Sequence, residues 1–213
     1  MSLQTHQAGR SRGAIAAIVL AAGYGSRFNS SENKLVADYH GRPLLRHGIE
    51  AALGSHAHPT IVVTGHDRAR VDAVLEGLPV TLVHNANYAS GLASSLIAGL
   101  ARANASEGVL VLLGDMPGVT PEILNQLITA FQRAPDGCPA VALTFLGRRG
   151  NPVLLGHALF PQILQLRGDE GARRLLQTVD GVIDLPFDSD AVTTDIDTLR
   201  DLEVLRAKSG APK

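Results

Sequence analysis

The run Ala16-Ala17-Ile18-Val19-Leu20-Ala21-Ala22 passes without a polar residue into Gly23-Tyr24-Gly25-Ser26-Arg27, and Lys34 follows seven residues later. A run this apolar reads as a strand buried on both faces, the kind found inside a parallel sheet. Small residues at its exit let the backbone come close to a ligand. Free N–H groups, an arginine and a lysine then suit a polyphosphate. The pattern points to an enzyme that handles a nucleoside triphosphate.

Strand and helix signals alternate from there on. The spacing predicts strands over 16–22, 60–64, 80–83 and 108–113, with helices over 44–53, 67–75, 94–103 and 121–133. Pro43 and Gly54 bracket the first helix, and Thr120-Pro121-Glu122 is a helix start signal. Such alternation implies an α/β, Rossmann-like three-layer sandwich with a mostly parallel sheet. The rhythm changes after residue 138. Apolar segments 140–146 and 153–155 flank a glycine-bounded connection over 147–152, which suggests one added antiparallel strand. A helix near 171–178, a strand near 182–184 and a helix near 198–208 complete the chain. Residues 1–13 are polar and aperiodic and are expected to be disordered, leaving a single domain over 14–208.

Composition excludes several functions. The 213 residues carry a net charge of −1, without the basic excess of a nucleic-acid binder. Cys138 is the only cysteine, so neither an intrachain disulfide nor a thiolate metal cluster can form, in keeping with a cytoplasmic setting. It reads as a loop residue without catalytic function. Arg10 and Arg12 ahead of residues 14–22 imitate a signal peptide, but cleavage there would delete the first core strand. No other apolar run approaches the ~20 residues of a membrane span, so no membrane partner is expected. The eight histidines lack metal-binding spacing; His56, His58 and His84 read as ordinary polar positions. Asp184, Asp188 and Asp190 are expected to solvate the late loops.

Gly23-x-Gly25 after a strand invites a dinucleotide-binding reading. That fingerprint needs a third glycine where this chain has Phe28, and an acidic residue closing the second strand, which ends near Thr64 with Asp67 beyond it. Both features count against a nicotinamide-dependent reductase. Asn33-Lys34-Leu35 likewise fails the P-loop pattern. The fourth strand, 108–113, ends in Gly114-Asp115-Met116-Pro117, which places Asp115 at the same sheet edge as the first turn. A hard divalent cation bridging phosphates needs such an oxygen ligand, whereas the plain alternative is a turn-capping aspartate.

Leu20-Ala-Ala-Gly-Tyr-Gly-Ser-Arg27 with Lys34, Gly41-Arg-Pro-Leu-Leu45 and Gly114-Asp-Met-Pro117 resemble the nucleotidyltransferases of molybdopterin-dinucleotide synthesis, from about Ile15 to Leu205. Ala21-Ala22, Gly91-Leu-Ala-Ser-Ser-Leu-Ile-Ala-Gly-Leu100, Gly150-Asn-Pro-Val153 and Gly168-Asp-Glu-Gly-Ala-Arg173 resemble the molybdenum cofactor cytidylyltransferase branch. The resemblance implies transfer of CMP from CTP to the terminal phosphate of molybdopterin, with release of pyrophosphate. It implies Mg²⁺ held by Asp115 and by a second carboxylate of the Asp195-Ile-Asp197-Thr198 segment, Asp197 rather than Asp195 because it stands just before Thr198, with Arg27 and Lys34 countering the phosphate charge. Leu20, Ala21, Ala22, Gly23, Gly25, Ser26, Gly91 and either Ser94 or Ser95 would bind the nucleotide. A molybdenum hydroxylase is an implied partner.

The chain departs from that pattern at Phe28-Asn29 (usually methionine and glycine), at the longer 30–33 segment, at Thr198-Leu199 (usually threonine–proline) and at Asn151 (often histidine). GTP in place of CTP, another small phosphorylated acceptor, or a nonenzymatic cofactor chaperone are the alternatives. Arg148, Arg149 and Arg173 could wall a phosphate-bearing acceptor or simply solvate charged loops.

Overall fold

Strand β1 (Ile15–Ala21) has every residue buried and sends alternate side chains to opposite faces. Ile15, Ala17, Val19 and Ala21 enter one hydrophobic layer, while Ala16, Ile18, Leu20 and Ala22 enter the other. The computed structural model describes residues 13–28 and 33–209. The disorder expected for residues 1–13 therefore falls almost wholly outside the described residues, and so does most of the 30–33 segment.

The remaining elements follow in order. A short hairpin joins β2 (Asp38–Tyr39) to β3 (Arg42–Pro43), then α1 (Leu44–Leu53), β4 (Thr60–Thr64), α2 (Arg68–Leu75), β5 (Thr81–His84) and α3 (Leu92–Leu100). After these come β6 (Gly108–Leu113), α4 (Pro121–Arg133), β7 (Ala140–Phe145), β8 (Arg148–Gly156), α5 (Phe160–Ile163), α6 (Ala172–Thr178), β9 (Ile183–Pro186) and α7 (Leu199–Ser209). Seven strands form one sheet in the order β5-β4-β1-β6-β8-β7-β9. Within this sheet, as far as the described residues go, every pairing is parallel except the two made by β8, so β8 is its single antiparallel strand.

Helices cover both faces. Ile49 of α1, Val71 of α2 and Leu124, Leu127 and Phe131 of α4 pack on the first layer. Leu96 of α3, Ile163 of α5 and Leu175 of α6 pack on the second. A smaller third cluster gathers Phe28, Ala37, Tyr39, Leu44, Ile196 and Leu202. It ties the glycine loop, the hairpin and the C-terminal helix together beside the ends of β1 and β6.

Sequence expectation and structure part company in a few places. The chain reverses at Leu146-Gly147, whose φ angles of 49° and 74° make a two-residue hairpin turn. Residues 148–152 therefore belong to β8, which extends well beyond the expected 153–155. The third helix begins at Leu92, two residues earlier than the serine pair suggested. Asp184 lies on β9 and forms an ion pair with Arg149 (2.6 Å), where a loop-solvating role was expected. Cys138 is buried in the first layer, its thiol donating to the Ala140 carbonyl at 3.4 Å.

Candidate active site

Because β1 and β6 are parallel neighbours, their carboxyl ends open on one edge, where α/β sheets bind ligands. The loop after β1 closes in a 3₁₀ turn over Ser26–Phe28, and Phe28 anchors it by burying its ring in the third cluster. The residue that breaks the dinucleotide fingerprint thus holds this loop to the C-terminal segment. A second turn, Lys34–Val36, is capped by Asn33, whose side chain accepts from the Leu35 N–H at 3.0 Å. Leu35 enters the core, which fixes the direction Lys34 takes.

Lys34 Nζ donates to Asp115 Oδ2 at 2.5 Å and to the Ile196 carbonyl at 2.9 Å, and lies 3.5 Å from Asp197 Oδ1. Arg27 grips the same Asp197 at 2.7 Å through Oδ2. Ile196 is the keystone of this segment: its side chain is buried, and its N–H donates to the Asp115 carbonyl at 3.1 Å. Asp195 and Asp197 therefore flank a fixed point.

Asp115, Asp195 and Asp197 each offer an oxygen within 4.8 Å of the others. Among the described residues Arg27 and Lys34 form ion pairs with Asp115 and Asp197, whereas Asp195 has no ion-pair partner. Asp195 keeps part of its surface in solvent, but partial burial, followed by the charges of Asp115 and Asp197, pushes its carboxyl above the usual carboxylate range. Lys34 pulls in the opposite direction. Among the described residues Asp115 Oδ1 is buried without a hydrogen-bond partner. An orphaned carboxylate oxygen beside two further carboxylates is a donor set that suits a hard divalent cation.

A cavity of about 420 Å³ runs along this edge. Of the anticipated residues, Leu20, Ala22, Gly23, Gly25, Arg27, Lys34, Gly91, Ser95, Asp115 and Asp197 line it. Ala21 does not, because its side chain belongs to the opposite layer. Ser26 sits within the first 3₁₀ turn. Of the serine pair, the structure brings Ser95 to the cavity wall; Ser94 turns to the carbonyls of Gly91 (2.8 Å) and Asn87 (3.1 Å). Gly91 is constrained twice over, by a φ of 104° and by a β-carbon position only 2.2 Å from the backbone of Gly168.

Some residues went unnoticed in the sequence. Asn85, buried at the end of β5, donates to both Ser94 (2.8 Å) and Ser95 (3.0 Å) and accepts from the Asn87 N–H at 2.9 Å. Tyr88, Asp169 and Tyr24 also line the cavity; Tyr24 and Asp169 stand inside quoted motifs, and Tyr88 in none. Asp195 was passed over in favour of Asp197, although both belong to the cluster.

A second, smaller cavity of about 130 Å³ begins on the other side of Leu113. Arg148, Asn151, Arg173 and Asp195 are among its walls. Arg149 also reaches it, but its guanidinium is bound in a forked pair to Asp184 (2.6 and 3.1 Å) and donates to the Leu176 carbonyl. Among the described residues Arg148 and Arg173 have no carboxylate partner.

The parallel sheet, the glycine loop at its edge and the acidic cluster beside it define a nucleotide-handling α/β transferase. Residues 17–182 match the family model described as the MobA-like NTP transferase domain, and the chain belongs to that family of nucleotidyltransferases. It is 30% identical over 195 residues to a nicotine blue oxidoreductase of Paenarthrobacter nicotinovorans, covering 88% of this chain and 94% of that protein. It is 37% identical over 136 residues to the bifunctional protein GlmU of Sorangium cellulosum, 61% of this chain but only 28% of that longer protein. Among solved structures, a nucleotidyl transferase of Methanothermobacter thermautotrophicus superposes with a TM-score of 0.79 at 27% identity, covering 92% of this chain and 97% of the other.

Proposed function

We propose that this nucleotidyltransferase moves CMP from CTP to the terminal phosphate of molybdopterin, releasing pyrophosphate. The observation that carries the reading is the position of the acidic cluster between two cavities. Asp115 and Asp197 line the large one and Asp195 lines the small one, with Leu113 common to both. A donor triphosphate in the large cavity would meet Arg27 and Lys34. An acceptor phosphate in the small one would meet Arg148, Arg173 and Asn151. The acceptor oxygen bonds to the α-phosphorus as the bond to the β-phosphate bridging oxygen breaks and pyrophosphate carries the electron pair away.

A phosphate is already a competent nucleophile, so positioning and charge stabilisation suffice and no general base is needed. Arg27 and Lys34 balance charge that moves toward the leaving group. Backbone groups of Leu20–Gly23 and the Ser95 hydroxyl hold the nucleoside, with Asn85 fixing that hydroxyl. Asp115, Asp195 and Asp197 would hold Mg²⁺, which supplies charge neutralisation between the phosphates when bound. The test is pyrophosphate release with Mg²⁺ and each nucleoside triphosphate, with and without molybdopterin. Release that needs both CTP and molybdopterin supports the reading. Turnover with GTP alone overturns the choice of base and leaves the reaction class standing.

The oxidoreductase relative, aligned over 94% of its length, favours a second reading in which this chain is a nicotinamide-dependent reductase. Phe28 in place of a third glycine and Thr64 closing β4 without an acid weigh against it. Loss of reduced-nicotinamide absorbance on adding a quinone-like dye would favour it over transfer.

A further inference from the structure

Beside its charged residues the large cavity is lined by two aromatic rings that the transfer chemistry does not use, Tyr24 and Tyr88. Tyr24 follows β1, His66 follows β4 and Tyr88 follows β5, so three successive strands of the sheet each contribute one ring at the same edge. Ring centroids lie 4.5 Å apart for Tyr24 and His66, 5.1 Å for Tyr24 and Tyr88, and 5.9 Å for His66 and Tyr88. Contacts at these spacings hold the rings as one unit. The backbone locks it further. The His66 N–H donates to the Ala22 carbonyl at 3.1 Å, and a β-carbon at Gly65 would come within 2.7 Å of Tyr88.

Tyr24 nonetheless remains 53% exposed while lining the cavity. A fixed ring with an uncovered surface, one residue from Gly23 and three from Arg27, calls for a ligand with a flat, apolar-faced head and a polyanionic tail. We infer that Tyr24, braced by His66 and Tyr88, is the stacking surface for the base of the donor nucleotide and sets how tightly that base is held. The inference rests on reading the large cavity as the triphosphate donor site. Stacking is tolerant of base identity, because every base presents a π-face. It governs affinity for a nucleoside over bare polyphosphate, and the choice between cytosine and guanine falls to the hydrogen-bonding groups near Ser95.

Titration calorimetry on the full chain with CTP, GTP and inorganic tripolyphosphate tests this. Tyr24→Ala is expected to weaken the tighter-binding nucleotide about tenfold, the loss of one base-stacking contact. Tripolyphosphate affinity should stay within about twofold, since Arg27 and Lys34 are untouched. Tyr24→Phe, which keeps the ring, should restore nucleotide binding. Equal affinity of wild type and Tyr24→Ala for the nucleotide would overturn the inference. Parallel loss of tripolyphosphate would overturn it too, by showing that Tyr24 only shapes the loop. A wild type that binds tripolyphosphate and neither nucleotide refutes base stacking alone, whereas one that binds none of the three refutes the donor site itself.

Discussion

Lys34 Nζ lies 2.5 Å from Asp115 Oδ2, and the contact joins the loop after β1 to the end of β6 across 81 residues of sequence. Their side chains are only 12% and 14% exposed, so the pair escapes most of the screening that makes surface ion pairs weak. The partners are not equivalent. Without its lysine, Asp115 would face Asp195 and Asp197 with no ion-pair partner of its own among the described residues. Without Asp115, Lys34 keeps Asp197 and the Ile196 carbonyl. Lys34→Met is expected to destabilise the fold by about 3 kcal/mol, the scale of a stranded buried charge, and Asp115→Asn by about 1 kcal/mol or less. Denaturant unfolding of both variants decides; equal losses would mean the acidic cluster exerts no repulsion. Both variants should also lose transfer activity.

Asp195 has a pH signature of its own. Its carboxyl titrates above the usual range through partial burial and the charges of Asp115 and Asp197. The folded state therefore binds this proton more tightly than the unfolded chain does. That contribution to stability is complete below the unfolded-state pKa and is lost as pH rises through the folded-state value. Asp195→Asn should raise the melting temperature of the metal-free protein at neutral pH and flatten this part of its pH profile. The variant should also show a smaller thermal shift with Mg²⁺. A melting temperature that falls, with an unchanged response to Mg²⁺, would remove Asp195 from the cluster.

Gly150 shows how a residue without chemistry can position the acids. A β-carbon there would sit 1.9 Å from the Val192 carbonyl oxygen, on the turn that leads into Asp195. Strand β8 can pass this close only with glycine. Gly150→Ala is expected to cost about 2 kcal/mol through overpacking and to blunt the Mg²⁺ thermal shift. Stability loss with a full metal response would place the strain elsewhere.

What the sequence made legible follows from how local each signal is. Leu44–Leu53, Pro121–Arg133, Thr60–Thr64 and Gly108–Leu113 match their expected bounds because caps, prolines and apolar runs mark their ends within a few residues. The Asp38–Tyr39 and Arg42–Pro43 hairpin is too short for periodicity to register. Arg27, Lys34 and Asp115 were legible as charges following buried strands or glycines. The choice of Ser95 over Ser94 was not, since it depends on Ser94 turning back to the Gly91 and Asn87 carbonyls. Asp195 was hidden for a related reason. Ile196 orients both neighbours, and its burial depends on Phe28, Tyr39 and Leu44, far away in sequence.

The start of α7 couples that acidic segment to pH from the other side. Asp201 Oδ2 accepts from the Thr198 hydroxyl (2.7 Å), the Thr198 N–H (2.7 Å) and the Asp197 N–H (3.2 Å), while Thr198 Oγ1 accepts from the Asp201 N–H at 3.1 Å. This reciprocal cap fixes the backbone of Asp197 as it opens the helix. The Thr198 hydroxyl, followed by its N–H, holds the Asp201 carboxyl below the usual range. The sign is opposite to that of Asp195. The stabilisation is present above the unfolded-state pKa and is lost as pH falls through the depressed folded-state value. Asp201→Ala should cost about 1 kcal/mol at neutral pH, the worth of a helix cap, and make the acid limb of the stability profile shallower. It should also loosen Asp197, so that Arg27 and Lys34 lose a fixed partner. Hydrogen exchange at the Asp197 and Thr198 amides gives the direct readout: unchanged protection in Asp201→Ala would show that Ile196 alone holds the segment.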